Sequence, residues 1–576
     1  MTTSLVDAES VLAIDLGSLQ TQVSLFDVVD GQYHFIANGH SPSTANPPFQ
    51  DVTESVHLAV ERLQEITGRL FIDADAHFIL PSQPDGSGVD RMVVTYSCGP
   101  ELHFVTAGLL NEVSLESAQH LAASTYGKVL DSIGLSDRRR PEAQIDAVLR
   151  AQPDLVILTG GTENGASRSI LKQVELLTMV CRVLPQANRP DVLYVGNQAL
   201  SKRITETLEK WTNVTTAANV RPSIDTEDLG PAQTSLNKVL VDIRSRQVGG
   251  MDHLAKLSSS LPVPNAYAFG RLIQYLGQTS TTGKGVLGVD LGASYTTFAA
   301  ANHGGHLCLN AFPYGIGRGL VQAGLLHHLD ELMQWLPVHV NESLVRDYLM
   351  QKSLFPAGIP LTGETLAIEQ ALARYLMRTG MAQMHSRWPE LGSAFEPILA
   401  VGSALSYAPT PGQALLAILD GIQPAGITTV ILDPHKLSPQ LGAIASINNL
   451  LPVQVLESDA LLNLGTVICP VSPARYGTTI LRVRLEYEDG NEIVREIRQG
   501  TLVSLPLRPG QVARIRISSS RRTLIDPHTR RGSGSFKITG GVLGAVIDAR
   551  GRPLRLPPDA ARRREMIKKW LFALGG

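Results

Sequence analysis

Cysteine is scarce in this chain, with only Cys98, Cys181, Cys308 and Cys469 among 576 residues. No two of them stand at a C-x-x-C spacing. This argues against a zinc site or an iron–sulfur cluster held within one chain and leaves only a cluster shared between subunits. Core or free thiols are the expected state. Long apolar runs are missing as well: stretches such as Ala414 to Leu419 fall far short of the roughly 20 residues that span a bilayer. The first ten residues carry neither a basic region nor an apolar core, so no secretory signal is read there and the expected compartment is the cytoplasm. Hydrophobic content of 43% and charged content of 18% describe a soluble globular protein. The length is too great for one ordinary core and implies roughly three or four domains.

Net charge is also nearly absent, at −3, but the balance is uneven. Residues Val471 to Gly576 hold 21 Lys and Arg against 9 Asp and Glu, leaving 29 against 44 in the rest. A basic region on an acidic body reads as a docking surface for an acidic partner or nucleic acid, or as the solvated face of a β-rich domain.

What is present is a repeated stretch. Val11 to Val23, with Asp15-Leu16-Gly17-Ser18 at its centre, is matched by Val286 to Phe298, centred on Asp290-Leu291-Gly292-Ala293. Each reads as a buried strand ending in Asp, a glycine turn with small hydroxyl residues, and a second strand. Glycine permits turns in which successive N–H groups face an anion, and the Asp can hold Mg²⁺ directly or through water. The competing reading is that both Asp residues cap their turns by bonding backbone N–H groups.

Around these hairpins the chain alternates strands and helices, which predicts a largely parallel or mixed sheet covered by helices. Val52, Val56, Val60, Leu63 and Ile66 fall on one face of a helix that Gly68 ends. Met92 to Tyr96 reads as a strand, Ser114 to Ile133 and Pro141 to Arg150 as helices, and Leu155 to Leu158 and Val192 to Val195 as strands. The segment Thr159-Gly160-Gly161-Thr162 is either a second ligand-binding crest at a strand end or a tight strand-to-helix turn. From about 245 to 285 the composition shifts to Gly, Ser, Thr and Pro, as in a connection between lobes. Gly277 to Gly285 nearly spells a P-loop, but the glycine spacing is one residue too long and Gly285 stands where Ser or Thr is needed. The second hairpin opens another α/β lobe, with helices near Gly319 to Met333, Glu342 to Gln351 and Glu364 to Met384. Its strand Ile398 to Val401 runs into Gly402-Ser403, where backbone can pack against a nucleoside. After Cys469, short alternating strands with a hairpin turn at Asp489-Gly490 predict a β-sandwich or barrel. A basic helix from Ala560 to Leu574 closes the chain, docking through Met566, Trp570 and Leu571. The expected units are 1–90, 91–244 (part of the first lobe or an inserted domain), a linker 245–285, 286–470, a β domain 471–557, and the helix 558–576.

Taken together, Asp15-Leu-Gly-Ser18, Arg91-Met-Val-Val94, Thr159-Gly-Gly-Thr162, Tyr194-Val-Gly-Asn197, Pro262-Val-Pro264, Asp290-Leu-Gly292 and Val401-Gly-Ser403 resemble the glutamate mutase L family over about residues 11 to 465. That family belongs to the actin-like ATPase superfamily, with sugar kinases, heat-shock 70 chaperones and hydantoinases. The resemblance implies an α/β actin-like fold of two ribonuclease-H-like lobes, with the C-terminal all-β domain outside the family core. It implies that the hairpins are phosphate loops and that the later Gly turn is an adenosine loop. ATP with Mg²⁺ would then be held by Asp15, Gly17, Ser18, Thr21, Asp290, Gly292, Ser294, Thr296, Gly402 and Ser403, with Asp15 and Asp290 reaching the metal through water. It also implies an accessory role, as chaperone or reactivator of a coenzyme-B12-dependent mutase, and no mutase chemistry.

The loops depart from the family pattern. Leu19, Gln20 and Gln22 replace two Thr and a Lys, Ala293 and Tyr295 enter the second loop, and Ser403-Ala404 replaces a glycine pair. Lost charge weakens phosphoryl transfer, which rests on positioning and electrostatics. A catalytically inactive pseudo-ATPase that acts as a scaffold through its β domain is therefore the alternative. A small-molecule kinase or hydantoinase-type hydrolase is a further one, although no general base stands out among isolated residues such as His303, His306 and His435.

Overall fold

The structure is a computed structural model that describes residues 9–163, 165, 167–320, 324–520, 522–527 and 530–575. Strands β1 (Val11–Leu16), β2 (Gln20–Val29) and β3 (Gln32–Pro42) form an antiparallel meander, and β4 (Arg91–Tyr96) adds parallel to β1. The chain then leaves this sheet. It builds a separate parallel sheet from β5 (Leu102–Ala107), β6 (Gly127–Ile133), β7 (Leu155–Leu158), β8 (Asp191–Tyr194) and β9 (Val214–Thr216) before returning with β10 (Val263–Pro264) beside β4. The first sheet thus has the order β10-β4-β1-β2-β3.

The same pattern recurs. Strands β11 (Gly285–Leu291), β12 (Thr296–Ala301) and β13 (Leu307–Phe312) form a meander, and β14 (Phe395–Val401) and β15 (Gly426–Asp433) add in parallel. Two copies of this strand order make the duplicated ribonuclease-H-like architecture of actin-like proteins. The lobes share one core: Val11, Ala13 and Phe26 of the first sheet and Val286, Ala299 and Leu399 of the second pack on helices Asn265–Thr279 and Ser438–Ile444.

The inserted sheet has the order β6-β5-β7-β8-β9, a doubly wound arrangement. Its β6 corrects an expectation, since Ser114 to Ile133 does not continue as a helix. Helix Glu116–Ala123 ends, and Gly127 starts an edge strand paired with β5, at a position that only glycine fits, since a Cβ there would collide with the Phe104 ring on the neighbouring strand. Residues 245–285 also differ from a linker. They form helix Met251–Leu257, strand β10 and helix Asn265–Thr279, whose Ala266, Ala268, Phe269, Leu272 and Ile273 are buried. The Gly and Ser content masked this apolar face. Gly277 lies inside that helix, pressed against Ala301, so no P-loop forms there. The helix over Val56, Val60 and Leu63 is present as Thr53–Thr67, but Ile66 is 63% exposed because Gly68, at φ 71°, turns the chain away. Of the helix expected near Gly319 to Met333, residues 321–323 lie outside the described residues and Leu329–Met333 is helical.

The C-terminal strands form a sandwich whose second layer belongs to the second lobe. Strand β16 (Leu462–Cys469) runs antiparallel to β15, and after it come β17 (Thr479–Tyr487), β18 (Glu492–Arg498), β19 (Leu502–Leu505), β20 (Val512–Ser519), β21 (Gly534–Thr539) and β22 (Ala545–Asp548). Strands β22 and β19 extend the lobe's own sheet beyond β16, while β18-β17-β20-β21 form the outer layer. Ile468, Val483, Leu485, Ile515, Ile538 and Ile547 fill the space between the layers. The terminal helix Ala560–Ala573 buries Ile567 and Trp570, and the indole Nε1 donates to Gly500 O at 3.2 Å.

Candidate functional site

Asp15 and Asp290 hold equivalent places, each the penultimate residue of the first strand in its lobe. Each is followed by a hairpin turn that glycine makes possible. Gly17 N donates to Gln20 O and Gly292 N to Tyr295 O, both at 3.0 Å. A Cβ at Gly292 would lie 2.8 Å from Tyr295 O, and one at Gly17 would press still closer on Gln20 O. The tips of the two hairpins meet, with Ser294 Oγ donating to Ser18 Oγ at 2.9 Å.

Strand alternation sorts the expected ligand hydroxyls. Residues paired across neighbouring strands share a face, and Asp15 pairs with Gln22 while Asp290 pairs with Thr297. Thr21 and Thr296 therefore point away. Thr21 Oγ1 donates to Ser55 Oγ at 3.0 Å, Thr296 Oγ1 donates to Tyr314 O at 2.9 Å, and both residues are fully buried within their lobes. The residues on the carboxylate face are Gln22 and Thr297, which are also buried. Gln22 Nε2 crosses between the lobes to His435 O at 2.7 Å.

The carboxylates are shaped by burial. Asp15 Oδ1 accepts from Asn265 Nδ2 at 2.7 Å and Thr95 Oγ1 at 3.2 Å, yet burial still raises its pKa above the usual carboxylate range. Burial pushes Asp290 up to about 7; the Lys436 ammonium opposes the shift, while Asp15 and Asp433 add to it. Asp433 ends β15 in the same register row, paired through Val401 with Asp290. It is fully buried, accepts from Ser438 N at 2.7 Å and Ser438 Oγ at 2.6 Å, and is likewise raised by burial. Asn265 Oδ1, buried beside Asp15, has no hydrogen-bond partner among the described residues. Asp290 and Asp433 stand two strands apart, and among the described residues the carboxylate oxygens of Asp15, Asp290 and Asp433 do not converge to direct-ligand distance, so this oxygen-rich row would suit a hard cation such as Mg²⁺ only through intervening water.

Gly402 closes the third side. Its φ of 129° excludes other residues, and a Cβ there would press on Leu291 O at the end of β11. Replacing it by Ala is expected to destabilise the lobe, read as a lower unfolding midpoint. Ser403 is exposed at the start of the short helix Ser403–Ser406, and Ser406 Oγ donates to Asp433 O at 3.3 Å. The second hairpin is braced by a segment that sequence reading passed over: Ile316 N donates to Gly292 O, and Gly317 N and Arg318 N both donate to Ala293 O.

The inserted domain reaches this cleft through Tyr126. Its ring lies 4.5 Å from that of Tyr295, its carbonyl accepts from Tyr295 OH at 3.3 Å, and its hydroxyl faces Thr297. Burial raises the Tyr126 phenol well above its ordinary pKa, with Asp290 and Asp15 adding to the shift, which places it near both carboxylates. The second candidate crest lies elsewhere. Gly160 and Gly161 have φ of 132° and 72° and hold neighbouring loops together: Asn197 N donates to Gly160 O at 3.3 Å, and Asn219 Nδ2 donates to Gly161 O at 3.0 Å. Thr162 stands beside them, Asn164 lies outside the described residues, and none of these described contacts involves a hairpin residue.

The family model described as "MutL protein" matches residues 11–460. No curated protein matches the chain. Among solved structures, the chain is similar to a nucleotide-free acetone carboxylase from work on ATP-dependent acetone carboxylation, at 11% identity over 86% of this chain and 81% of that one, with a TM-score of 0.34. It is also similar to xylulose kinase from Bifidobacterium adolescentis, at 11% identity, covering 79% and 94% of the two chains, with a TM-score of 0.28. A diol dehydratase-reactivating factor in nucleotide-free form matches at 11% identity, covering 76% and 99%, with a TM-score of 0.31. The duplicated strand order, and not these distant likenesses, defines the fold.

Proposed function

Because the chain belongs to the MutL protein family, the glutamate mutase L proteins, we infer that it is an actin-like nucleotide-binding accessory protein that remodels a coenzyme-B12-dependent mutase. The observation that carries this reading is the tip-to-tip meeting of two Asp-Gly hairpins from duplicated lobes at Ser18 and Ser294. ATP seated between the tips would part that contact. The N–H groups of the turns at Gly17 and Gly292, with the hydroxyls of Ser18 and Ser294, would face its phosphates, and Gly402 and Ser403 its nucleoside. Asp15, Asp290 and Asn265 would hold Mg²⁺ through water, and the ion would offset phosphate charge. Thr21 and Thr296 act here as struts within their lobes.

A change at the tips also shifts Tyr295, and through it Tyr126, so lobe movement is passed to the inserted domain. The partner would sense that movement, and the outward cations Arg482, Arg514 and Lys537 offer an acidic protein surface a place to dock. A pseudo-ATPase reading is favoured by one observation: the Tyr126 ring, packed on Tyr295, lies beside the carboxylates where attacking water and phosphate would need space. The crest at Gly160, Gly161 and Thr162 serves loop packing in this reading.

Calorimetric titration of ATP with Mg²⁺ tests the reading. Wild type is expected to bind, and Asp290→Ala and Asp15→Ala each to lose at least about tenfold in affinity. Equal affinity in all three proteins would refute it. Phosphate release on the same samples separates the two versions, since turnover that depends on Asp290 excludes the pseudo-ATPase.

A further inference from the structure

The first hairpin presents no cation to the cleft. The row that crosses it, Asp15 on β1, Gln22 on β2 and His40 on β3, holds one carboxyl, one neutral amide and an imidazole. Burial, and then the nearby Lys436 ammonium, pushes that imidazole below its usual pKa, so His40 supplies no reliable charge. A polyphosphate entering between Asp15 and Asp290 would meet repulsion from both.

The loop that follows β15 changes this balance. Asp433 ties it from inside, accepting from His435 N at 3.2 Å and from Ser438 N and Oγ. Gln22 ties it from the other lobe through His435 O, and the His435 ring packs 4.9 Å from that of Phe35 on β3. Lys436, the next residue, is held between these anchors at φ 54°, a conformation that non-glycine residues seldom adopt. Its backbone is thereby fixed one residue from the Gln22 contact. Lys436 is half-buried, and among the described residues no carboxylate lies within 4.0 Å of its ammonium, so it forms no structural ion pair. It nevertheless acts on both Asp15 and Asp290, opposing the rise that burial imposes on each. An ammonium poised between two hairpins and spent on neither is available to a third, anionic group.

We propose that Lys436 is the phosphate-positioning cation of the cleft, delivered by the second lobe to the face of the first hairpin. The proposal rests on the nucleotide reading above. It adds that the charge complement of the cleft is complete only while the lobes are together, because Gln22 and Lys436 belong to different lobes. Lobe separation would then release the phosphates, and phosphate contact would favour closure.

The test is a titration of ATP, ADP and adenosine, each with Mg²⁺, against full-length wild type, Lys436→Met, Lys436→Arg and the double variant Lys436→Met/Gln22→Lys. Loss of one charge-assisted contact is expected to weaken ATP binding about tenfold or more in Lys436→Met and to leave adenosine binding within about twofold. Lys436→Arg should keep most of the affinity. The double variant should recover part of it, because position 22 faces the same row. A wild-type far-ultraviolet circular dichroism spectrum and a single cooperative unfolding transition for ligand-free Lys436→Met establish that the fold is intact. Equal weakening of ATP and adenosine, unaltered ATP affinity, or failure of Gln22→Lys to restore any affinity would overturn the assignment while leaving nucleotide binding in place. Absence of ATP binding by wild type would instead remove the nucleotide reading, and this proposal with it.

Discussion

Arg550→Ala is expected to destabilise the protein by about 3–5 kcal/mol, the range measured when one member of a buried ion pair is removed. The Arg550 side chain is fully buried. Its guanidinium donates to Asp420 Oδ1 at 2.6 Å and to both oxygens of Asp548 at 2.8 Å, and its carbon lies 4.8 Å from the Trp570 ring. Asp420, on helix Pro411–Ile422, also accepts from Arg374 Nε at 2.8 Å, and Asp548 also accepts from Arg552 at 2.6 Å. Three guanidinium groups and two carboxylates are thus joined away from water. They link the helices of the second lobe, the end of β22 and the terminal helix. Truncating Arg550 leaves Asp420 and Asp548 charged, desolvated and short of donors, and it removes the cation under Trp570. Burial works against ionised Asp548, but Arg550 and Arg552 hold its carboxyl well below the usual range. A depressed carboxylate contributes stability above its unfolded pKa and loses it as pH falls through the folded value, so the contribution is intact at neutral pH and fades only in acid. Urea unfolding at neutral pH is the measurement. Arg552→Ala, which leaves Asp548 its Arg550 contacts, should cost less than Arg550→Ala, and equal stability of wild type and Arg550→Ala would show that the network does not anchor the tail.

The sequence carried the two hairpins plainly, because Asp, Gly and small hydroxyl residues in a fixed local order need no tertiary information. Local order also misled. Thr21 and Thr296 looked like phosphate ligands, but alternation along β2 and β12 turns them into the lobes and brings Gln22 and Thr297 to the cleft. A strict count from Asp15 and Asp290 across each hairpin would have found this. Asn265 lay hidden in a stretch whose Gly and Ser content read as a linker, although Ala266, Phe269, Leu272 and Ile273 carry a helical period. Asp433 had a faint signal, a strand ending in Asp before Pro434, the same strand-end acid seen at Asp15 and Asp290. Nothing local could place Lys436 or Tyr126, since each enters the cleft from a segment more than a hundred residues away from a hairpin it serves. The alternating tail strands were legible one by one. Their division between an outer layer and the edge of the second lobe was not, because β16, β22 and β19 pair over long separations.

Affinity for ATP with Mg²⁺ is expected to rise about tenfold per pH unit below a midpoint near 7 and to level off above it, as follows when binding needs one group ionised. That group is Asp290. Burial raises its carboxyl to about 7, Asp15 and Asp433 push the same way, and Lys436 resists. Near neutral pH the ligand-free protein therefore holds Asp290 partly protonated, while a metal-bound water shell selects the carboxylate, so binding releases a proton. The ligand-free protein behaves oppositely. A carboxyl whose pKa is raised on folding contributes stability below its unfolded value and loses it as pH climbs through the folded one, so the apo protein should become less stable between about pH 4 and 7. Asp15 and Asp433, raised in the same direction, deepen that slope. The stabilisation that ATP with Mg²⁺ confers should grow over the same window. Nucleotide phosphates also titrate near pH 6, so the decisive measurement is proton release by calorimetry in buffers of different ionisation enthalpy, compared between wild type and Asp290→Asn. The variant keeps the ligand's own protons and loses those of Asp290. Lys436→Met separates the groups further: removing the ammonium lets burial raise Asp290 more, and the midpoint should move above 7, whereas a midpoint set by the phosphates would stay where it is.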